Sequence, residues 1–189
     1  MKMTRRNCSA ILGGFLLALT LSPLNAQTPP AAGSAAAPKK PLSPPAQASV
    51  ELKGKTITID YSAPSVRGRQ IAGGLVPYGK VWRTGANAAT TLKTPIDLKI
   101  GDLKVPAGTY TLYSLPSENG CILIVNKQTG QWGTVYDESK DLGRTPMNPI
   151  EQADPVETMV IKFGPVTNNA TDMHIIWEHW DLTVAVAAE

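Results

Sequence analysis

The chain has 189 residues, 42% of them hydrophobic and 17% charged, which is room for one domain of ordinary size with a real core. Three of its 18 basic residues, Lys2, Arg5 and Arg6, lie in residues 1–26 with none of its 15 acidic ones, so the remainder balances at 15 of each. A near-neutral domain lacks the electrostatic footprint that binding to a phosphate backbone needs, and we expect no nucleic-acid partner.

Residues 1–26 read as a secretory signal: Lys2, Arg5 and Arg6 make a positive start, Ile11 to Leu21 an apolar stretch, and Leu24-Asn25-Ala26 a small-residue cleavage site. Arg5-Arg6 after Thr4 also admits a twin-arginine reading. The apolar run is shorter than the roughly 20 residues that cross a bilayer, and Pro23 closes it, so no membrane span is expected. Cys8 precedes the apolar run, the wrong side for a lipid-modified cysteine at the cleavage point. The protein is therefore expected to be exported, to the periplasm or outside the cell. Residues 27–48 are rich in Pro, Ala, Gln and Ser and read as a disordered tether, because they hold too little apolar surface to offset the entropy of ordering. The folded unit is expected over residues 49–189.

Within it the pattern is nearly all β. Glu51 to Lys55 looks like a short strand turning at Gly54, and Thr56-Ile57-Thr58-Ile59-Asp60-Tyr61 alternates with period two, which puts Ile57, Ile59 and Tyr61 on one face. Further strands are expected over residues 90–93, 96–100, 103–105, 109–115, 121–125, 158–163 and 172–177, with Gly101-Asp102 as a tight hairpin turn. Leu182 to Val186 alternates and is expected to pair with the strand at 172–177 across a turn at Glu178 to Asp181. Helical periodicity is absent. Many short strands separated by Gly, Pro and Asn turns predict a single antiparallel β-sandwich, with a barrel-like sandwich as the lesser possibility.

The densest polar chemistry runs from Tyr61 to Thr91. It gathers Arg67, Arg69, Lys80, Arg83, Tyr78, Trp82 and Asn87 among five glycines. The run Val76-Pro77-Tyr78-Gly79-Lys80-Val81-Trp82-Arg83-Thr84-Gly85-Ala86-Asn87, with Pro106 to Tyr110, Gln131-Trp132-Gly133, Tyr136-Asp137 and Trp177-Glu178, resembles a bacterial family of exported proteins, domain of unknown function 2911. The resemblance covers residues 49 to the C-terminus. It implies an exported all-β domain, joined in larger members to helical repeats that this chain lacks, and carries no activity. Members usually have a glutamate after Gly-Ala-Asn; this chain has Ala88, so no carboxylate is required at that point.

The candidate binding residues are Arg67, Arg69, Tyr78, Lys80, Trp82, Arg83, Asn87 and Asp137. Arg67 and Arg69 flank Gly68, where two guanidiniums could fork onto a carboxylate or phosphate, or pair with acids such as Asp60 or Asp137. Arg83 beside Trp82 reads first as a buried, paired clamp that ties the loop to the sandwich, and second as a ligand anchor. Asn87 reads as a loop fixer. Asp137-Glu138-Ser139-Lys140-Asp141 is a carboxylate cluster near two rings, Trp132 and Tyr136, which would suit a saccharide.

Cys121 lies in an apolar strand and reads as a buried, inert thiol. His174 and His179 are the only histidines and no Cys accompanies them, so neither a metal site nor a catalytic triad is expected. No Gly-x-Ser-x-Gly, phosphate-cradling loop or His-Glu-x-x-His occurs, and no cofactor is implied. Two readings follow. The favoured one is a non-catalytic module that binds a saccharide, peptide or envelope protein through residues 67–87. The alternative is a hydrolase of a saccharide or other envelope substrate, with Asp137, Glu138 or His174 as acid and base.

Overall fold

A computed structural model describes residues 42–189, and the signal reading over 1–26 and most of the expected tether lie outside them. Two clean alternations open the chain. In β1 (Pro45–Leu52) the even-numbered Ala46, Ala48, Val50 and Leu52 turn inward, and in β2 (Lys55–Ser62) Ile57, Ile59 and Tyr61 do the same. Lys53 and Gly54 join them with φ values of 50° and 69°, the positive pair that a two-residue hairpin turn needs if its twist is to match the strands. Strand β1 therefore begins at Pro45, within the last residues of the stretch read as a tether. Proline and alanine masked the period-two signal there, because small inward residues carry little hydrophobic contrast.

The remaining strands are β3 (Thr90–Thr94), β4 (Leu98–Ile100), β5 (Leu103–Val105), β6 (Gly108–Ser117), β7 (Gly120–Asn126), β8 (Asp141–Phe163) and β9 (Ala170–Ala188). They form one antiparallel hydrogen-bonded network in the order β1-β2-β3-β6-β7-β8-β9-β4-β5. Apart from a short 3-10 turn at Glu138–Lys140, the described residues contain no helix. The all-β expectation holds.

The long strand β8 makes the two layers. Its first part pairs with β7, Cys121 opposite Met147 and Leu123 opposite Thr145, whereas Val160 to Phe163 pair with Ile176 to Met173 of β9. Register shifts between Glu151, Val156 and Val160 bend the strand where it passes from one layer to the other. β9 bends in step, and Glu178 takes a φ of 53°. This corrects one expectation. Residues 178–181 are no hairpin turn; Leu182 and Thr183 continue β9 and pair with Pro149 and Asn148 of β8, while Val186 to Ala188 pair with β4. The first half of β8 escaped the pattern because Pro146 and Pro149 demote a strand on paper.

Apolar side chains from both layers fill one core, among them Leu52, Ile57, Ile59, Leu112, Leu123, Met159, Ile175 and Trp177. The layers are also joined by hydrogen bonds. After β2 the chain keeps contact with β8, the Met159 N–H donating to Pro64 O (2.9 Å) and the Val66 N–H to Glu157 O (2.8 Å). Beside them the buried Ile161 N–H donates to the Tyr61 hydroxyl at 3.0 Å. Tyr61→Phe strands that N–H without a partner at a cost of about 1–3 kcal/mol. Calorimetry should show a thermal midpoint lower by about 3–10 °C, and an unchanged midpoint would mean the amide finds another acceptor.

Candidate functional site

The segment between β2 and β3 has no regular structure, yet it is pinned at several points. Ile71 and Val76 are fully buried and brace a tight loop in which the Val76 N–H donates to Ile71 O (3.0 Å) and the Leu75 N–H to Gln70 O (2.9 Å). Gly74 permits that closure, since a Cβ there would meet Gln70 O at 2.5 Å. Trp82 then exchanges both backbone hydrogen bonds with Ser114 of β6, at 2.7 and 2.8 Å. Thr84 is buried, its hydroxyl 2.7 Å from that of Ser114 and its carbonyl accepting from Thr90 Oγ1 (2.8 Å).

Docked this way, the segment forms one side of a cavity of about 500 Å³. Arg69, Trp82, Arg83 and Asn87 line it from the segment; Tyr113 of β6, Tyr136 and Trp177 of β9 line it from elsewhere. Trp82 stacks on Trp177 with ring centroids 5.7 Å apart and planes at 17°, and Tyr113 meets Tyr136 edge-on at 4.9 Å. Both tyrosines are fixed. The Tyr113 hydroxyl donates to Val135 O (2.6 Å), and the Tyr136 hydroxyl to Asp141 Oδ2 (2.8 Å). Burial first, and then the Asp141 carboxylate, push the Tyr136 phenol up to about 12, so it keeps its proton across the physiological range. Trp177 is 1% exposed and its indole N–H has no hydrogen-bond partner among the described residues, an uncompensated donor in a residue that lines the cavity.

The cations of the segment have separate fates. Arg67, at a φ of 51°, donates through Nη2 to Leu42 O (2.7 Å), while its backbone N–H donates to Glu157 Oε1 (3.0 Å), so it holds the incoming chain. Arg69 spends Nε on Val66 O and Nη2 on Ser65 O. Arg83 is half-buried, and among the described residues its side chain makes one hydrogen bond, from Nε to Gly85 O at 3.3 Å. None of the three makes a salt bridge to an acid. The expected pairings do not form. Asp60 pairs with Lys93 (2.8 Å) and accepts from Gln47, and those bonds hold its carboxyl below the usual range. Arg83 is thus no ion-paired clamp; the tie to the sandwich is made by Trp82, its neighbour. Tyr78 and Lys80 are exposed and do not line the cavity. Asn87, at a φ of 57°, donates to Ser43 O (3.3 Å), fixing the loop.

The acid and base candidates do not converge. Asp137 is exposed and caps the 3-10 turn, accepting from the Ser139 N–H and hydroxyl, which lowers its carboxyl. Glu138 is tied to Arg144 at 2.6 Å, and Arg144 also holds Asp141 (2.9 Å). His174 Nδ1 sits 2.8 Å from Asp181 Oδ1, and His179 Nδ1 is 3.0 Å from Gln152 O. None of these residues lines the cavity. No cluster of three His, Cys, Asp or Glu fit to hold a metal occurs among the described residues, and no helix there is long and apolar enough to cross a membrane.

The family described as a protein of unknown function, DUF2911, matches residues 43–186. The chain belongs to that family. The DUF2911 match takes in every strand from β1 nearly to the end of β9, and with it the whole wall of the cavity except Leu42. No curated protein and no solved structure matches the chain.

Sequence reasoning named Tyr136 as a ring suited to a saccharide but missed Tyr113, Trp177 and Gly133. Period two placed Tyr113 and Trp177 in strands without saying which surface they would share, and Gly133 looked like any loop glycine. A Cβ on Gly133 would lie 2.5 Å from Arg83 Cδ and 2.8 Å from Asn87 O, so the glycine lets the Arg83 stem lie against the backbone. Gly133→Ala is expected to cost about 1–3 kcal/mol by overpacking, read as a lower urea midpoint; unchanged stability would show that the Arg83 stem moves aside freely. Burial likewise pushes the Cys121 thiol from 9.0 up to about 11. A raised acid stabilises the fold fully below the unfolded value and loses that contribution as pH rises toward the folded one. Between those two values Cys121→Ala should flatten the alkaline loss of stability relative to wild type, and parallel curves would show that the thiol is not coupled to folding.

Proposed function

We propose that this protein is an exported, non-catalytic binding module whose cavity between Trp82, Arg83, Tyr113, Tyr136 and Trp177 takes one ring-sized portion of a small molecule, saccharide or peptide. The observation that carries the reading is the cavity itself. Its volume of about 500 Å³ falls within the range of small-molecule sites. Its aromatic walls are held rigid by hydrogen bonds at Tyr113 and Tyr136, and by stacking at Trp82, before anything binds. Rigid rings bind flat apolar faces without the entropic cost of ordering side chains.

Hydrolysis is the weaker reading here, because acid–base catalysis needs two titratable groups converging on one substrate. Asp137, Glu138 and His174 are engaged elsewhere and stand outside the cavity wall. Export rests on the positive start and apolar stretch of residues 1–26.

The test is a thermal-shift panel of monosaccharides, amino acids and dipeptides against the full chain. A cavity ligand raises the midpoint with concentration by mass action. Thr134→Trp, which places a large side chain at an exposed position of the cavity wall, should abolish the shift without unfolding the protein. No shift from any panel member, or shifts that survive in Thr134→Trp, would overturn the reading; turnover of a panel member would return attention to the hydrolase.

A further inference from the structure

Of the two cations that line the cavity, Arg83 is the one whose Nη groups make no hydrogen bond among the described residues. Its Nε donates to Gly85 O, and its stem lies in the space that a Cβ on Gly133 would occupy. Residues 1–41 contain no Asp or Glu, so all 15 acids of the chain lie among the described residues, and none of them bridges Arg83. The cavity wall contains no acidic residue either. Arg144 and Lys93, by contrast, sit against acids, Arg144 against Glu138 and Asp141 and Lys93 against Asp60. A half-buried guanidinium without an anion has lost part of its hydration and gained only one long hydrogen bond in return.

We infer that the ligand is a ring carrying a single carboxylate, which docks end-on against the Arg83 fork while the ring lies along the aromatic wall. The inference rests on the cavity reading above and narrows it. A planar fork matches a carboxylate bidentately. Phosphate fits less well. A dianion calls for further unspent donors, and Arg69, the second cation of the wall, already gives Nε and Nη2 to Val66 and Ser65 carbonyls. A sugar acid and an aromatic acid share the required chemistry, and the experiment separates them.

Binding to the full chain would be followed by calorimetry and by tryptophan fluorescence, since Trp82 and Trp177 line the cavity. The probes are glucuronate against glucose, and phenylacetate against phenylacetamide. The acid of one pair should bind about tenfold or more tighter than its neutral partner, a preference that weakens with salt. The pair that shows it identifies the source. Arg83→Gln should erase the difference between acid and neutral probe; Arg83→Lys, which keeps the charge and loses the fork, should restore only part of it. If Arg83→Gln does not fold, the salt dependence of wild type and the Arg83→Lys variant carry the test. Equal binding of acid and neutral probes would overturn the carboxylate and leave the cavity reading standing. Displacement of the acid by an equal concentration of inorganic phosphate would also overturn it. Failure of all four probes to bind overturns the ring carboxylate, and the wider panel then decides the fate of the cavity reading separately.

Discussion

Trp82 is held twice, and the arrangement of the site depends on both attachments. Its backbone exchanges two hydrogen bonds with Ser114 of β6, and its ring stacks on Trp177 of β9. The first attachment extends the sheet past the end of β3; the second reaches an element that comes almost a hundred residues later in the chain. Between them a glycine-rich segment with no regular structure acquires a fixed position. Loops that carry chemistry need such anchors, because their own backbone does not supply a repeating ladder.

The same constraint explains how charge is distributed. Two cations on the sheet find partners: Lys93 meets Asp60 across neighbouring strands, and Arg144 gathers Glu138, Asp141 and the Tyr136 hydroxyl. Exposed pairs of this kind contribute little to stability, but the Arg144 cluster positions Tyr136 and so shapes the cavity. Inside the anchored segment the arginines turn to carbonyls instead. Arg67 and Arg69 fasten backbone, and Arg83 is left to face the cavity wall with its charge uncompensated by any acid. A protein with equal numbers of acids and bases beyond residue 26 has therefore sorted them unevenly.

Much of the fold is legible in the residues. Ile57, Ile59 and Tyr61 alternate and are buried together, the Gly101-Asp102 turn joins β4 to β5, and the run from Cys121 to Val125 lies inside β7. Two elements are not legible, for different reasons. β1 begins among prolines and alanines whose inward side chains are too small to stand out. The first half of β8 contains Pro146 and Pro149, which remove donors and so suppress any local strand signal, although Pro146 still sits opposite Ile122 and Pro149 opposite Leu182.

By itself the sequence determined the class of fold and the burial of the inward strand faces, because period-two hydrophobicity is a local property. The bend that carries β8 and β9 between layers, and with it the meeting of Trp82 with Trp177, was decided only in three dimensions. So was the separation of the acids from the arginines. Asp137 and Arg83 are both candidates for binding, yet one caps a surface turn and the other lines a cavity. Contacts between residues far apart in the chain depend on register and strand order, and neither is written in any single stretch of residues.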